Sequence, residues 1–319
     1  MLIYTLRRIN LLLCTLLLLS MVSYCVYRQS TEPQNGWFAG YYTYVLKLFS
    51  GDLGTSSLSG KPVVKMIAHH LPATLELCLS AIIIALIVGV TLGTVAAFRL
   101  GRLTDWLISG VSIICAAIPV YWLALLLILI FSMLLGIFPS SGQINLLYEI
   151  EPVTGFTLID SLLSSDNHDL SAFYNALQHL LLPASALALL PTTEVIRLVR
   201  SSMGEVLRQN YIKAAFSRGL SPWSVLRRHA LRNAIPPILP TISMQFNTIM
   251  TSAIIIEMIF EWPGLGRWLM SSIAGRDYVA IQAGLLTISA MLIAINIGTE
   301  LFTNLLYPVK RKELYGQQG

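Results

Sequence analysis

Four carboxylates stand inside or beside long apolar runs: Glu76, Glu194, Glu257 and Glu300. A charge at the centre of a bilayer costs about 3 kcal/mol on insertion scales, so each must face a cavity, cap a helix or find a partner. A path for a cationic solute is one use for such acids. Glu76 lies one turn after Pro72 and Glu194 three residues before Arg197, which favours a local cap for the first and an ion pair for the second. Glu257 suits either a structural role or a path, and Glu300 is the acid to test as path-lining. Other chemistry is missing. No GxxxxGK[ST] loop is present to hold a nucleotide phosphate, so the chain is not an ATPase. His69, His70 and His168 lack metal-ligand spacing. Cys14, Cys25, Cys78 and Cys115 lie in apolar runs without a CxxC pair, which indicates neither a disulfide framework nor a zinc site. No nucleophile–base set is visible. The reading is a non-enzyme without cofactor or metal.

The elements that must carry these residues are set by composition. Of 319 residues, 55% are hydrophobic and only 12% charged, with mean hydropathy +0.70. That excess of apolar side chains excludes a disordered chain and an ordinary soluble enzyme. Lipid must cover it. Six stretches reach the roughly 20 residues that a spanning helix needs: 9–27, 71–98, 106–135, 179–199, 235–260 and 281–307. The first is too long and lacks the cleavage site of a signal peptide, so it reads as an anchor. With the N-terminus inside, 15 of the 21 basic residues fall on the inner side and six on the outer, which puts both termini in the cytoplasm. The net charge of +5 therefore reflects loop topology and membrane lipid rather than nucleic acid. The expected architecture is an all-α membrane protein with six transmembrane helices. It divides into an anchor and first periplasmic loop (1–70), a core (71–307) and a cytoplasmic tail (308–319).

Two outer loops are long. Residues 136–178 hold five acids, Glu149, Glu151, Asp160, Asp166 and Asp169, and no Lys or Arg. This is either a translocated loop kept free of positive charge or a surface that attracts cations. Gly89-Val90-Thr91-Leu92-Gly93 is a GxxxG suited to close helix packing. Pro119, Pro183 and Pro191 are expected to bend their helices.

The inner loop 202–233 is the most informative stretch. Ser202 and Glu205 fit a capping box, and a helix should follow through Lys213-Ala214-Ala215. Gly219 stands where a C-terminal cap needs positive φ. Ser221-Pro222 then starts a second short helix. The loop is basic, yet carries Tyr211, Ile212, Phe216, Leu220, Trp223, Val225 and Leu226. Two readings fit equally: helices lying on anionic headgroups, or a dock whose apolar residues fill a cleft on a cytoplasmic protein.

The loop resembles a known family. Lys213-Ala214-Ala215-Phe216-Ser217-Arg218-Gly219 and His229-Ala230-Leu231-Arg232-Asn233-Ala234 are similar to the Glu-Ala-Ala–Gly loop of ABC importer permeases, in the form typical of the dipeptide, oligopeptide and nickel branch. Blocks starting at Gly51, Leu71, Glu257 and Arg276, with Gln282, resemble the same branch, and Leu6-Arg7-Arg8-Ile9 fits its B-type member. Three further blocks, at 142–149, 152–156 and 191–198, resemble the Sap (sensitivity to antimicrobial peptides) subgroup. Lys213 departs from the family's usual Glu.

The resemblance implies the type I ABC importer permease fold. It also implies four kinds of partner: a second homologous permease in a heterodimer, two cytoplasmic ABC ATPase subunits, a periplasmic solute-binding protein and membrane lipid. Hydrolysis of ATP would occur on the partners. The loop would be the coupling helix, set into an ATPase cleft. Ala214 and Ala215 would allow close approach, Gly219 the sharp turn, and Arg218, Arg227 and Arg228 pairing with acidic rims; Leu220 and His229 belong to the same stretch. The implied cargo is peptide, cationic antimicrobial peptides included, or a polyamine such as putrescine. Nickel or generic dipeptide and oligopeptide import is the alternative within the family. A stand-alone secondary transporter is the alternative outside it, but no inverted repeat supports one.

Overall fold

The computed structural model describes residues 2–29, 36–163, 170–236 and 238–306, except the side chains of 2–9, 11–13, 240 and 300–306. Asp166, His168, Asp169 and the 308–319 tail thus lie outside the described residues, as does the side chain of Glu300. The described residues form helices and an isolated β-bridge between Thr55 and Pro62. In chain order the helices are α1 (Leu2–Tyr27), α2 (Trp37–Phe49), α3 (Val63–Phe98), α4 (Leu103–Ala116), α5 (Val120–Leu127, continued by a π-turn Ile128–Leu134), α6 (Thr157–Leu163), α7 (Ser171–Leu207), α8 (Asn210–Ser217), α9 (Pro222–Val225, with a π-turn Leu226–Ala230), α10 (Leu231–Ala234), α11 (Leu239–Ile259), α12 (Leu265–Ala274) and α13 (Tyr278–Leu306).

Among the described residues, four helices are long and apolar enough to cross a membrane, drawn from α3, α7, α11 and α13. A fifth span is reached if α4 and α5 count as one. Here the structure corrects the sequence. The stretch 106–135 is not one helix: α4 and α5 are bent by 101° at the break before Pro119. Proline fixes φ and gives no N–H, so it starts α5 as its N-cap rather than continuing α4. Pro183 and Pro191, by contrast, lie within the unbroken 37-residue α7. The capping box at Ser202 is also absent. Helix α7 runs through Ser202 to Leu207, and the Ser202 hydroxyl donates to the Ala234 carbonyl at 2.8 Å. A tertiary acceptor takes the hydroxyl that a cap would have used.

The chain forms two compact units, residues 1–74 with 263–293 and residues 75–262 with 294–319. The first is built on Val63 and Ile67 of α3, Leu265, Trp268 and Leu269 of α12, and Ala280 and Ala283 of α13. The Thr74 hydroxyl accepts the first helical N–H of α12, from Leu265, at 2.7 Å. Asp277 caps α13: its carboxylate accepts from Ala280 N at 3.2 Å and from the Ser56 hydroxyl at 2.5 Å, and it is 1% exposed. Burial pushes its pKa up, but the hydrogen bonds from Ser56, Ala280 and Ser57 outweigh burial and hold the carboxyl below its ordinary range. Gly54, at φ +86°, lies so close to α13 that a Cβ would meet Val279 Cγ1 at 2.8 Å. Gln282 is likewise buried, its Oε1 2.5 Å from the Tyr44 hydroxyl and 2.8 Å from Ser23 Oγ. Burial raises the Tyr44 phenol to about 12, against a weaker pull from its hydrogen bond with Ser23. The Gly51 and Arg276 blocks, joined by Ser56 and Asp277 at a sequence separation of 221, are therefore parts of one packed structure.

In the second unit α7 packs against α4, α5, α6 and α11. The GxxxG is a packing seam. A Cβ on Gly89 would meet Val195 Cβ at 2.6 Å, and one on Gly93 would meet Val199 Cβ at 2.7 Å and the Ile196 carbonyl at 2.9 Å. Only glycine lets α3 and α7 approach this closely.

Candidate functional site

The segment from α7 to α10 is held by its own small core and by α3. Ile212 and Ala215 of α8 are buried three residues apart, and they pack with Val225 of α9 against Val206, Leu207 and Leu220. Met203, Ala230 and Ala234 close a second cluster with Ala97 at the end of α3. Asn233 Nδ2 donates at 2.9 Å both to the Tyr211 hydroxyl and to the His229 carbonyl. The turn after α8 has the expected glycine cap. Gly219 is at φ +79°, its N–H donates to Phe216 O at 2.9 Å, and Leu220 N donates to Ala215 O at 3.3 Å. This is a Schellman ending, with the side chain of Leu220 folded back onto α8. Ser221 then caps α9 by accepting from Ser224 N at 3.3 Å, with Pro222 in the first helical position. Such a cap is worth about 1 kcal/mol.

What the segment leaves outside is as informative. Tyr211, Phe216 and Trp223 are 44, 41 and 70% exposed. Around them Lys213, Ala214, Arg218, Arg227 and Arg228 are exposed. The structure thus splits the sequence candidates. Ala214, Arg218, Gly219, Arg227 and Arg228 lie on the surface; Ala215 is buried, and Leu220 and His229 are half-buried. Ala215 is small because α9 packs on it, a cause that sequence spacing does not reveal. No shell of the chain crowds Gly219: a Cβ there would find nothing within 4 Å. The arrangement is a packed basic knob that exposes three aromatic side chains.

The acids fall into distinct places. Glu76 is buried and accepts from Gln143 Nε2 at 2.7 Å, from Leu158 N at 2.7 Å and from Thr157 N at 3.3 Å. It caps α6, the short helix of the 136–178 region, so the cap is not the local one expected but joins elements about 80 residues apart. In that region Asp160 ties down its own loop, accepting from Thr154 N at 2.8 Å and Gly155 N at 2.9 Å. Glu194 pairs with Arg197 at 2.5 Å, as its spacing predicts. Glu257 is fully buried on α11. His70 bonds the Pro263 carbonyl at 2.9 Å, and His179 the Asn175 carbonyl at 2.9 Å. No cluster of His, Cys, Asp or Glu suited to a metal occurs among the described residues.

A cavity of about 250 Å³ opens at the α4–α5 break. Pro119, Leu187, Pro191, Thr248 and Ser252 are among its walls. Pro191 has no N–H to give to the Leu187 carbonyl, and non-helical backbone at bilayer depth must be buried or face water. Reasoning from charged residues overlooked this site, whose polarity comes from hydroxyls and interrupted backbone. The one signal in the sequence was proline.

The comparisons with known proteins agree with this geometry. The chain is 43% identical over 325 residues to the putrescine export system permease protein SapB of Escherichia coli K12, covering 99% of both chains. It is 42% identical over the same coverage to the peptide transport system permease protein SapB of Salmonella typhimurium. A di/tripeptide transport system permease, DppB of Pseudomonas aeruginosa, is 41% identical over 84% of this chain and 79% of its own. The fold matches a chain of the inward-facing MetNI methionine ABC transporter with TM-score 0.57 at 14% identity, over 76% of this chain and 96% of that one. Residues 89–312 match the family of binding-protein-dependent transport system inner membrane components. On this match and the full-length identities, the chain belongs to that family and is a multi-pass permease of the inner membrane.

Proposed function

We propose that the chain is one of two homologous permeases in an ATP-driven importer for peptides or a polyamine. Two cytoplasmic ABC ATPases and a periplasmic solute-binding protein would complete it. Six spans and cytoplasmic termini accompany this reading, with α1 as the anchor and α4–α5 as one broken span. The observation that carries it is the 43% identity along 99% of the chain to a SapB permease. Two Escherichia coli relatives at this same identity are called a putrescine export and a peptide transport permease. The cargo therefore rests on resemblance, and the family's dependence on a binding protein supports uptake as the direction. A di/tripeptide importer is the second reading, favoured by the 41% identity to DppB.

In this reading the knob formed by α8 and α9 docks on an ATPase. Trp223, Phe216 and Tyr211 fill the partner's cleft, while Arg218, Arg227 and Arg228 meet its acidic rim. Ala214 lets the surfaces close, and Gly219 with Leu220 sets the turn between them. Residues 1–70, 71–307 and 308–319 serve as anchor with first loop, permease core and tail. Glu257 and Glu300 remain candidates for the path.

The test is affinity purification of the tagged chain from membranes in mild detergent, with identification of what accompanies it. A second permease and ATPase subunits are expected. Recovery alone, from membranes shown to contain the ATPases, would move the assignment to a stand-alone transporter.

A further inference from the structure

Helix α4 begins beside the C-terminal part of α7 and ends at the 101° break. Its first turn carries Asp105, 2% exposed. Both carboxylate oxygens are taken by Arg200 of α7: Nε lies 2.5 Å from Oδ1, and the terminal nitrogen 2.9 Å from Oδ2. Oδ2 also accepts the Gly101 N–H at 2.9 Å, which fixes the α3–α4 turn to the same group. Arg200 stands two residues before Ser202 and three before Met203, the residues that fasten α7 to α10. Continuous contacts therefore lead from the exposed knob through the end of α7 to Asp105, along α4, and on to the broken span and its cavity. A fork-on-carboxylate pair resists rotation as well as separation, which a packing contact of small side chains does not.

We propose that the Asp105–Arg200 pair is the transmission contact of this permease: it makes α4 move with the docking segment, so that ATPase motion changes the α4–α5 bend. This rests on the reading of 202–233 as an ATPase dock. Asp105 and Arg200 are positioning residues here, touching neither nucleotide nor cargo.

The assembled transporter, purified with its ATPases and placed in proteoliposomes, carries the test. Spin labels on Ile113→Cys of α4 and Ser201→Cys of α7, with the four native cysteines replaced by Ala, report the separation of the two helices with and without ATP. In the unmodified pair that separation is expected to hold through the cycle. In Asp105→Asn and in Arg200→Ala it is expected to vary with nucleotide, with hydrolysis kept and uptake of putrescine or a cationic peptide reduced about tenfold. The exchange Asp105→Arg with Arg200→Asp should restore the fixed separation. Single variants whose label separation matches that of the unmodified pair would overturn the proposal. So would a charge exchange that restores nothing although the complex assembles. If a single variant fails to assemble, Arg200→Lys, which keeps the charge but loses the fork, must show the partial slip, and its absence overturns the proposal too. Failure of the docking reading looks different: the unmodified chain then carries no ATPase at all.

Discussion

The Asp277 region and the 202–234 segment both consist of family-like blocks, yet they treat their side chains in opposite ways. Around Asp277 a set of polar side chains turns inward: Ser56, Asp277, Tyr44 and Gln282 are buried and bonded to one another or to backbone. In the 202–234 segment apolar residues turn inward, Ile212, Ala215 and Val225 in one cluster and Met203, Ala230 and Ala234 in another, and the aromatic residues stay out. The first pattern is that of a structural joint and the second that of a surface awaiting a partner. Substitution should separate them. Asp277→Ala leaves the Ser56 hydroxyl and the Ala280 N–H without their acceptor and should cost about 3 kcal/mol of stability in detergent. Trp223→Ala should leave thermal unfolding unchanged and greatly reduce recovery of ATPase subunits with the chain. Equal loss of stability in both would erase the distinction. Acid sharpens it. The Asp277 carboxyl is held below its ordinary value, so its contribution is complete above the unfolded pKa of about 4. It should fade as pH falls through the lower folded value, and a pH series of unfolding transitions on Asp277→Asn should lack that component.

A smaller effect is expected in the second unit, at the α3–α7 seam. Gly93→Ala puts a methyl group 2.7 Å from Val199 Cβ and 2.9 Å from a backbone oxygen. The oxygen cannot rotate away, so the helices must part, at roughly 2 kcal/mol. The companion Gly204→Ala, on α7 but with nothing within 4 Å of the new atom, is the control and should be neutral or slightly stabilising. Thermal unfolding of the pair reads the difference.

These contrasts also explain what the sequence made legible. Helical character, the turn at Gly219, the Ser221–Pro222 cap and the Glu194–Arg197 pair are local, decided by residues within a few positions of each other, and all could be read directly. The GxxxG seam was legible because its packing follows from missing side chains. A bend at Pro119 was legible from the proline, but not that it splits 106–135 into two helices at 101°, because hydropathy counts apolar residues without regard to direction and both halves are apolar. Ser202 misled because a hydroxyl has the same appearance in sequence whether it caps its own helix or reaches Ala234. Helices α2 and α12 were absorbed into loops, since neither is long enough to span. Which face of α8 turns outward also depended on α9, so Ala214 and Ala215 were indistinguishable until the two helices were packed.

The smallest predicted effect bears on the docking surface itself. Gly219 combines a φ of +79° with open space around its missing Cβ. Within the chain, then, a side chain meets backbone strain and no clash. Gly219→Ala should cost about 1 kcal/mol, and Gly219→Asn less, because asparagine enters the left-handed region more readily. Stability ought to rank glycine, asparagine, alanine. Docking answers a different question, namely whether the partner's surface lies where the new side chain projects. If it does, asparagine should weaken ATPase recovery more than alanine, since its side chain is larger, and the two measurements would rank the variants in opposite order. If ATPase recovery instead follows stability, Gly219 serves only to close the Schellman turn, and the contact surface is carried by Trp223, Phe216 and Tyr211 alone.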